Sequence, residues 1–443
     1  MTTVTLGAVI GVALAVSSAS AQVRDAAPPL RLTLGEAIQR GLDTSHRIAE
    51  AVARSEAAGA VVGERHASML PQIAAQAGYT RTNHVDAFGI ALPNNQLRVI
   101  YPDIPDNYRT RLDLQWPIYT GGRLDALERA SRIEATASAD DIATARRDLT
   151  LEITRAYWAL VTATESLRVV EESVTRIDAH LRDVRNQLAA GLVPPSDVFT
   201  VDAQASRQRM LTVQARSTRD IVEAEVGRLA GLPPGTRVET AAALDALAPP
   251  PAALDGLIEV ARQQRPERAA LVRRAGAAGE RARAAAAGTK PTVAVGGGVD
   301  YASPNPRIFP REDGWRTSWD ASVNVSWSIF DAGRARSEMA EAAALTRAVV
   351  ERLADFDGSL AVEIRQRVSE VASSRAAIDA ATDAVRSAAE ARRVLGERFG
   401  AGVATSTDVL DAQVALLQVE LDRTQAIANA HLADARLARA LGK

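Results

Sequence analysis

The 443-residue chain has no cysteine, which removes disulfides, thiolate metal sites and thiol nucleophiles together. It has no excess of either charge, since 52 basic and 54 acidic residues leave a formal net charge of -2. Without a polyanion-binding field, nucleic acid is not an expected partner. Past the first residues there is no apolar run of the roughly 20 residues that a membrane-spanning helix needs. Any encounter with a membrane must therefore use another structure. The histidines His46, His66, His84, His180 and His431 include no two at metal-ligand spacing. The run Gly296-Gly297-Gly298 lies inside a strand pattern instead of opening a helix, so it does not read as a phosphate loop. Its expected use is to bend a strand or leave room in a wall. No reaction, metal or cofactor is expected.

The first residues, Val4 to Val16, are apolar and lead into Ala19-Ser20-Ala21-Gln22, the layout of a secretory signal over residues 1–21. Met1-Thr2-Thr3 brings no Lys or Arg, and an ordinary buried N-terminal helix is the alternative. With no Cys at the cleavage point, lipid anchoring there is excluded.

What the chain does have is a duplication. Leu112-Asp113-Leu114-Gln115-Trp116-Pro117-Ile118-Tyr119-Thr120-Gly121-Gly122-Arg123 returns as Val323-Asn324-Val325-Ser326-Trp327-Ser328-Ile329-Phe330-Asp331-Ala332-Gly333-Arg334. Likewise Ala190-Gly191-Leu192-Val193-Pro194-Pro195-Ser196-Asp197-Val198 returns as Ala401-Gly402-Val403-Ala404-Thr405-Ser406-Thr407-Asp408-Val409. Trp116 to Trp327 and Gly191 to Gly402 both span 211 positions, far beyond the period of roughly 20 to 50 residues that marks a solenoid. The mature chain divides into a first repeat, 22–246, and a second, 247–443, each a helix, two strands and a long helical hairpin.

Thr33 is placed to cap the first helix with Glu36 in capping-box position, and helical composition runs on to about Leu70. The second repeat opens likewise at Leu254. After Pro71 and Pro291 the period changes to two. Thr317, Trp319, Ala321, Val323, Val325, Trp327 and Ile329 alternate with polar residues, and Leu112, Leu114, Trp116 and Ile118 do the same. The strands Gln72 to Thr82 and Thr292 to Tyr301 repeat the pattern more weakly. A half-buried soluble sheet and a transmembrane barrel both fit. Trp319 and Trp327 share the apolar face about 26 Å apart along the strand, close to the spacing of two interfacial aromatic girdles. The longer loop of the first half lies between His84 and Asn107 and is rich in Pro and Asn.

From Arg123 to Ala190 there is no proline and Ala, Arg, Leu, Glu and Asp dominate, so helix is predicted, at ~1.5 Å per residue roughly 100 Å long. A turn at Gly191 to Asp197 sends the helical pattern back to Gly231. Arg334 to Gly400 and Thr407 to Leu441 repeat this hairpin. Alanine fills many of the apolar positions, which lets helices approach closely without a thick core.

Two halves of helix, strand, strand and long helical hairpin behind a signal resemble the TolC-like outer membrane efflux proteins, from about Leu32 to Leu441. The carriers are the junctions Trp116 to Arg123 and Trp327 to Arg334, with the tips Gly191 to Val198 and Gly402 to Asp411. The resemblance implies an α+β membrane protein: a homotrimer whose four-stranded sheets share a 12-stranded transmembrane β-barrel, continued by a long periplasmic α-helical barrel. It also implies a passive conduit in the outer membrane serving a periplasmic adaptor and an inner-membrane pump in efflux or type I secretion. Physics agrees, because four strands cannot close a channel alone and an open edge in lipid leaves backbone groups unsatisfied. Pro249-Pro250-Pro251, within Gly231 to Ala253, resembles the linker of the belt around the tunnel. A non-channel periplasmic coiled-coil adaptor or scaffold is the alternative, but such a protein needs one hairpin and this chain has two.

Asp408 and Asp411 are three apart and share a helix face. The resemblance makes them stacked carboxylate rings at the periplasmic gate, where such rings favour cations. Charge at a helix N-terminus also offsets the macrodipole, and that alone would account for Asp408. In the family the closed state is latched by an acid and a hydroxyl on the first tip meeting a Tyr and an Arg beside the second. Asp197 and Ser196 match the first pair, whereas Phe399 and Ala404 stand in place of the second, so that latch is missing. The tips Gly191-Leu192-Val193 and Gly402-Val403 match the adaptor-docking position, the alternative being that they pack on each other as a helix C-cap. Trp116, Trp319 and Trp327 are the expected membrane-interface aromatics.

Overall fold

The computed structural model describes residues 29–93, 97–242 and 254–443. The signal segment, Pro249-Pro250-Pro251 and the junction between the two repeats lie outside the described residues. Helix α1 (Leu34–Thr44) begins at Thr33, whose hydroxyl accepts the Glu36 amide while the Glu36 carboxylate accepts the Thr33 amide. The helix does not run on to Leu70 unbroken. Ser45 turns extended and its hydroxyl accepts the Ile48 amide, capping a new helix, α2 (His46–Ala67). Serine offers the backbone this local alternative to helix continuation. In the second half α5 (Leu254–Gln264) and α6 (Pro266–Ala286) are separated at Arg265, the residue before a proline, which is pushed out of helical geometry.

The long hairpins are α3 (Arg123–Ala189) with α4 (Pro195–Leu229), and α7 (Arg334–Gly400) with α8 (Ser406–Ala440). Both first arms have 67 residues and both second arms 35. Each 67-residue helix is entered through a left-handed glycine, Gly122 at φ 87° and Gly333 at φ 85°. Each ends at another, Gly191 at φ 69° and Gly402 at φ 76°. There the Leu192 amide bonds the Gln187 carbonyl and the Val403 amide bonds Arg398, both at 2.9 Å, the reversed bonds of a Schellman cap.

Four strands form one antiparallel sheet in the order β2 (Gln72–Arg81), β5 (Asp106–Tyr119), β7 (Thr292–Ser303), β8 (Arg316–Ser326). The helices keep the same lateral order. Above, α2 lies beside α3, α3 beside α6 and α6 beside α7; below, α4 lies beside α3, α3 beside α8 and α8 beside α7. The chain is thus a single layer in which each long helix spans two stacked shorter ones. Helix α3 sits inside the layer and is buried along most of its length. Helix α7 closes one edge, and of its residues only Leu360, Ile364, Val371 and Phe399 are buried. The apolar core is accordingly split into small clusters strung along the bundle.

Two short pairings escape the sequence pattern. Strand β1 (Leu30–Leu32) pairs in parallel with β6 (Val238–Thr240), inside the region read as linker. Both straps are fixed by Tyr157, which is fully buried; its hydroxyl donates to the Leu32 carbonyl at 3.1 Å and accepts the Ala242 amide at 3.2 Å. A hairpin, β3 (Phe88–Ala91) and β4 (Leu97–Tyr101), occupies the segment read as a loop from His84 to Asn107.

The sheet register sorts the two faces. Leu112, Val299 and Trp319 fall in one row across three strands, as do Trp116, Val295 and Val323. This apolar face is uncovered: Ile73 and Trp319 are each 74% exposed and Val323 69%. The other face carries Arg109, Arg111, Asp113, Asp300 and Asp320. Arg111 bonds all three of those acids, Asp113 at 2.5 Å and Asp320 at 2.9 Å, and Arg109 bonds Asp300 at 2.6 Å. Gly298 makes this possible, since a Cβ there would stand 2.6 Å from the Arg111 guanidinium and 2.7 Å from the Leu112 carbonyl. The glycine run therefore leaves room for side chains, one of its two expected uses, and none of these three glycines has positive φ.

Aromatic residues gather at both ends of the apolar face. At the helix end, Trp116 donates its indole N–H to the Met69 carbonyl and Trp327 to the Thr289 carbonyl, at 3.2 and 3.1 Å. The pairs are equivalent positions of the two repeats. At the far end Tyr79, Tyr108, Trp315 and Tyr301 form a chain of ring contacts with centroids 4.8 to 5.9 Å apart. Trp319, expected at that end, instead lies four residues inward of Trp315, in the aliphatic row of Leu112 and Val299. Spacing along a single strand could not reveal that neighbouring strands supply the far cluster.

Candidate gate at the hairpin tips

Both tips converge on one cluster. Ile177, Leu181 and Val184 of α3, Val201 and Ala205 of α4, Phe399 of α7, and Val409 and Leu410 of α8 pack together, with Val193 and Ala404 against them. The two tip sequences thus divide. Val193 turns inward, which corrects its expected place on a docking surface, while Leu192 stays 74% and Val403 62% exposed. The tight left-handed turns at Gly191 and Gly402 hold these two side chains outward.

Phe399 also needs correction. It is expected beside the gate, but it is only 7% exposed, and a ring covered inside its own chain has no surface to offer an opening. Ser196 and Asp197 remain together at the first tip, the serine hydroxyl donating to the Asp197 carboxylate at 3.3 Å. Neither has a hydrogen-bond or ion-pair partner on the second tip among the described residues.

Asp408 and Asp411 lie on the exposed side of α8, while Val409, Leu410, Ala412 and Gln413 between and after them are buried. Helical spacing thus sets both carboxylates on the face turned away from the protomer's own core. Asp408 also caps its helix: its carboxylate accepts the Thr405 hydroxyl at 2.7 Å and the Thr405 amide at 2.8 Å. Those bonds, the hydroxyl first, hold its carboxyl below the usual carboxylate range. Because the folded pKa is depressed, the cap's contribution is present above the unfolded pKa and is lost as pH falls through the folded one. Capping and a role at the gate are compatible, since the cap fixes the carboxylate without burying it.

One residue at the tip escaped the sequence reading. His180, 5% exposed, sits in the same cluster with its Nε2 3.0 Å from the Ser406 hydroxyl and its ring edge-on to Phe399 at 5.0 Å. Metal-ligand spacing does not single it out; the signal in the sequence is that His180 falls in the apolar stripe of Ile177, Leu181 and Val184. Among the described residues no group of His, Asp and Glu could hold a metal ion. No described helix is long and apolar enough to cross a membrane.

A model of the outer membrane efflux protein family matches residues 37–232 and 257–443. Protein CyaE of Bordetella pertussis is 27% identical over 331 residues, covering 72% of this chain and 64% of its own length. Outer membrane protein TolC of Vibrio cholerae is 22% identical over 418 residues, 92% of this chain and 90% of its own. Among solved structures, the outer membrane protein VceC from Vibrio cholerae shares the fold, with a TM-score of 0.77 at 20% identity over 92% of this chain and 96% of its own. With both repeats matched from the first helix to the last residue, the chain belongs to the outer membrane efflux protein family and is an outer membrane protein.

Proposed function

We propose that this protein is the passive conduit of a tripartite efflux or type I secretion system, a homotrimer that carries substrates from an inner-membrane pump across the periplasm and the outer membrane. The observation that supports it most is the open layer. Strands β2 and β8 end the sheet with one unpaired edge each, and α2 with α4 on one side and α7 on the other continue those edges downward. In lipid each unpaired backbone group costs several kcal/mol. Copies joined β8 to β2 remove both edges at once, and three four-stranded sheets give 12 strands. The uncovered apolar face then meets lipid, and the Arg109, Arg111, Asp113, Asp300 and Asp320 face lines a wet lumen. Trp116 and Trp327 mark the inner interface, and Tyr79, Tyr108, Tyr301 and Trp315 the outer one, with Trp319 inside the band.

Below, the helices close a tunnel whose end is the tip cluster. Asp408 and Asp411, with Asp197 and Ser196 nearby, ring its opening, and Leu192 and Val403 beside Gly191 and Gly402 offer an adaptor its apolar contact. The full-length protein, expressed with its leader and purified from the outer membrane fraction, is expected to give discrete conductance steps in planar bilayers without any nucleotide. A soluble periplasmic monomer that conducts nothing would contradict this reading.

A further inference from the structure

The tip lacks its expected latch yet contains a buried imidazole that joins the two hairpins. His180 belongs to the first hairpin, through α3, and both its partners belong to the second: Ser406 on α8 and Phe399 on α7. Ser406 is itself 4% exposed and is the first residue of α8, two positions before Asp408. Whatever holds Ser406 therefore sets where the carboxylate pair stands. We infer that neutral His180, bonded to Ser406, is the latch of the closed tip, a positioning residue that acts on Asp408 and Asp411 through the start of α8. This rests on reading the tips as the gated end of a conduit.

The surroundings suit an uncharged ring. His180 is 5% exposed and lies against Phe399 of α7, which packs with Val201 and Ala205 of α4 and with Val409 and Leu410 of α8. Asp183 from its own helix and the Ser406 backbone raise its pKa, and Arg392 from α7 lowers it. Burial is the largest influence and pushes the imidazole below its ordinary pKa. The folded pKa is thus below the unfolded value of about 6.5. The closed tip is favoured above that value and weakens as pH falls beneath it, because an imidazolium in this apolar cluster must be desolvated or the cluster must part.

Conductance of the full-length channel in planar bilayers, followed from about pH 7.5 to about pH 5, tests the latch. Wild type is expected to open in an acid step, and His180→Phe, which keeps the ring volume but cannot be charged, to show none. Ser406→Ala is expected to raise open probability at neutral pH about fivefold, the population change one buried hydrogen bond supports. Asp408→Asn with Asp411→Asn should keep the acid step while altering ion selectivity. An acid step that survives in His180→Phe, or a Ser406→Ala channel as closed as wild type at neutral pH, would overturn the latch and leave the conduit standing. Absence of conductance from every folded variant would overturn the conduit and the latch with it.

Discussion

Replacing Asp408 and Asp411 together with asparagine is expected to reduce the cation-over-anion permeability ratio of the channel by at least about tenfold. In a trimer the pair supplies six carboxylates in two stacked rings, each ring separated from the next by less than one helical turn, and rings of like charge at a constriction set selectivity. Asparagine keeps the size and the planar acceptor, so the helix can still be capped at Asp408 through its side-chain oxygen. The depressed pKa of Asp408 adds a pH signature. Its carboxyl titrates below the ordinary carboxylate value, so wild-type cation preference should persist at about pH 5, above the ordinary carboxylate range. Reversal potentials in a salt gradient measure both effects. A double variant with unaltered selectivity would leave Asp408 as a helix cap alone.

Tyr157→Ala is expected to be the most destabilising single change in the helical region. The ring is fully buried among Leu32, Ile153, Leu160, Val226 and Val238, so truncation leaves a cavity costing about 3–5 kcal/mol. It also leaves the Ala242 amide without its acceptor and takes one of two donors from the Leu32 carbonyl, which keeps the Ala241 amide at 2.9 Å. Tyr157→Phe separates the two losses and should cost about 1–3 kcal/mol. The straps β1 and β6 are each three residues long and, beside the Tyr157 hydroxyl, rest on apolar packing and on the Val238 amide donating to Glu223 of α4 at 2.6 Å. Limited proteolysis of the alanine variant should therefore nick the segment from Gly231 to Ala242 before any long helix is cut, and thermal unfolding of the purified channel should shift down accordingly. Cleavage that begins in the hairpins would show that the strap is not the weak point.

The long elements were legible because each repeats a simple period for many turns and each was written twice. Gly191 and Gly402, or Trp116 and Trp327, needed no structure to be equated, and the matched carbonyls of Met69 and Thr289, each two residues before Pro71 or Pro291, follow once the helix ends are known. What was not legible was set by contacts between segments distant in sequence. Strand β6 has three residues, too few for alternation to register, and exists because Leu32 and Tyr157 wait for it. The far aromatic cluster draws on four residues of β2, β5, β7 and the loop before β8, so no single strand announces it. At the tip, Asp408 and Asp411 were found by spacing, yet the burial of Phe399, the half-burial of Val193 and the bond between His180 and Ser406 depend on how two hairpins 211 positions apart lean together.

The central claim is that copies of this chain close upon one another through β8 and β2, and the absence of native cysteine makes it directly testable. One cysteine on each edge, with Ala75→Cys or Ala77→Cys on β2 combined with Val323→Cys or Val325→Cys on β8, samples neighbouring registers on the same face. Within one protomer these edges are three strand spacings apart, roughly 14 Å, well beyond the span of about 7 Å that a disulfide can bridge. Oxidation of the protein in its membrane is expected to give, for at least one pair, a covalent trimer that reduction returns to monomer. Oxidised chains that remain monomeric for every pair, or that run on into ladders longer than three, would contradict a closed three-chain barrel.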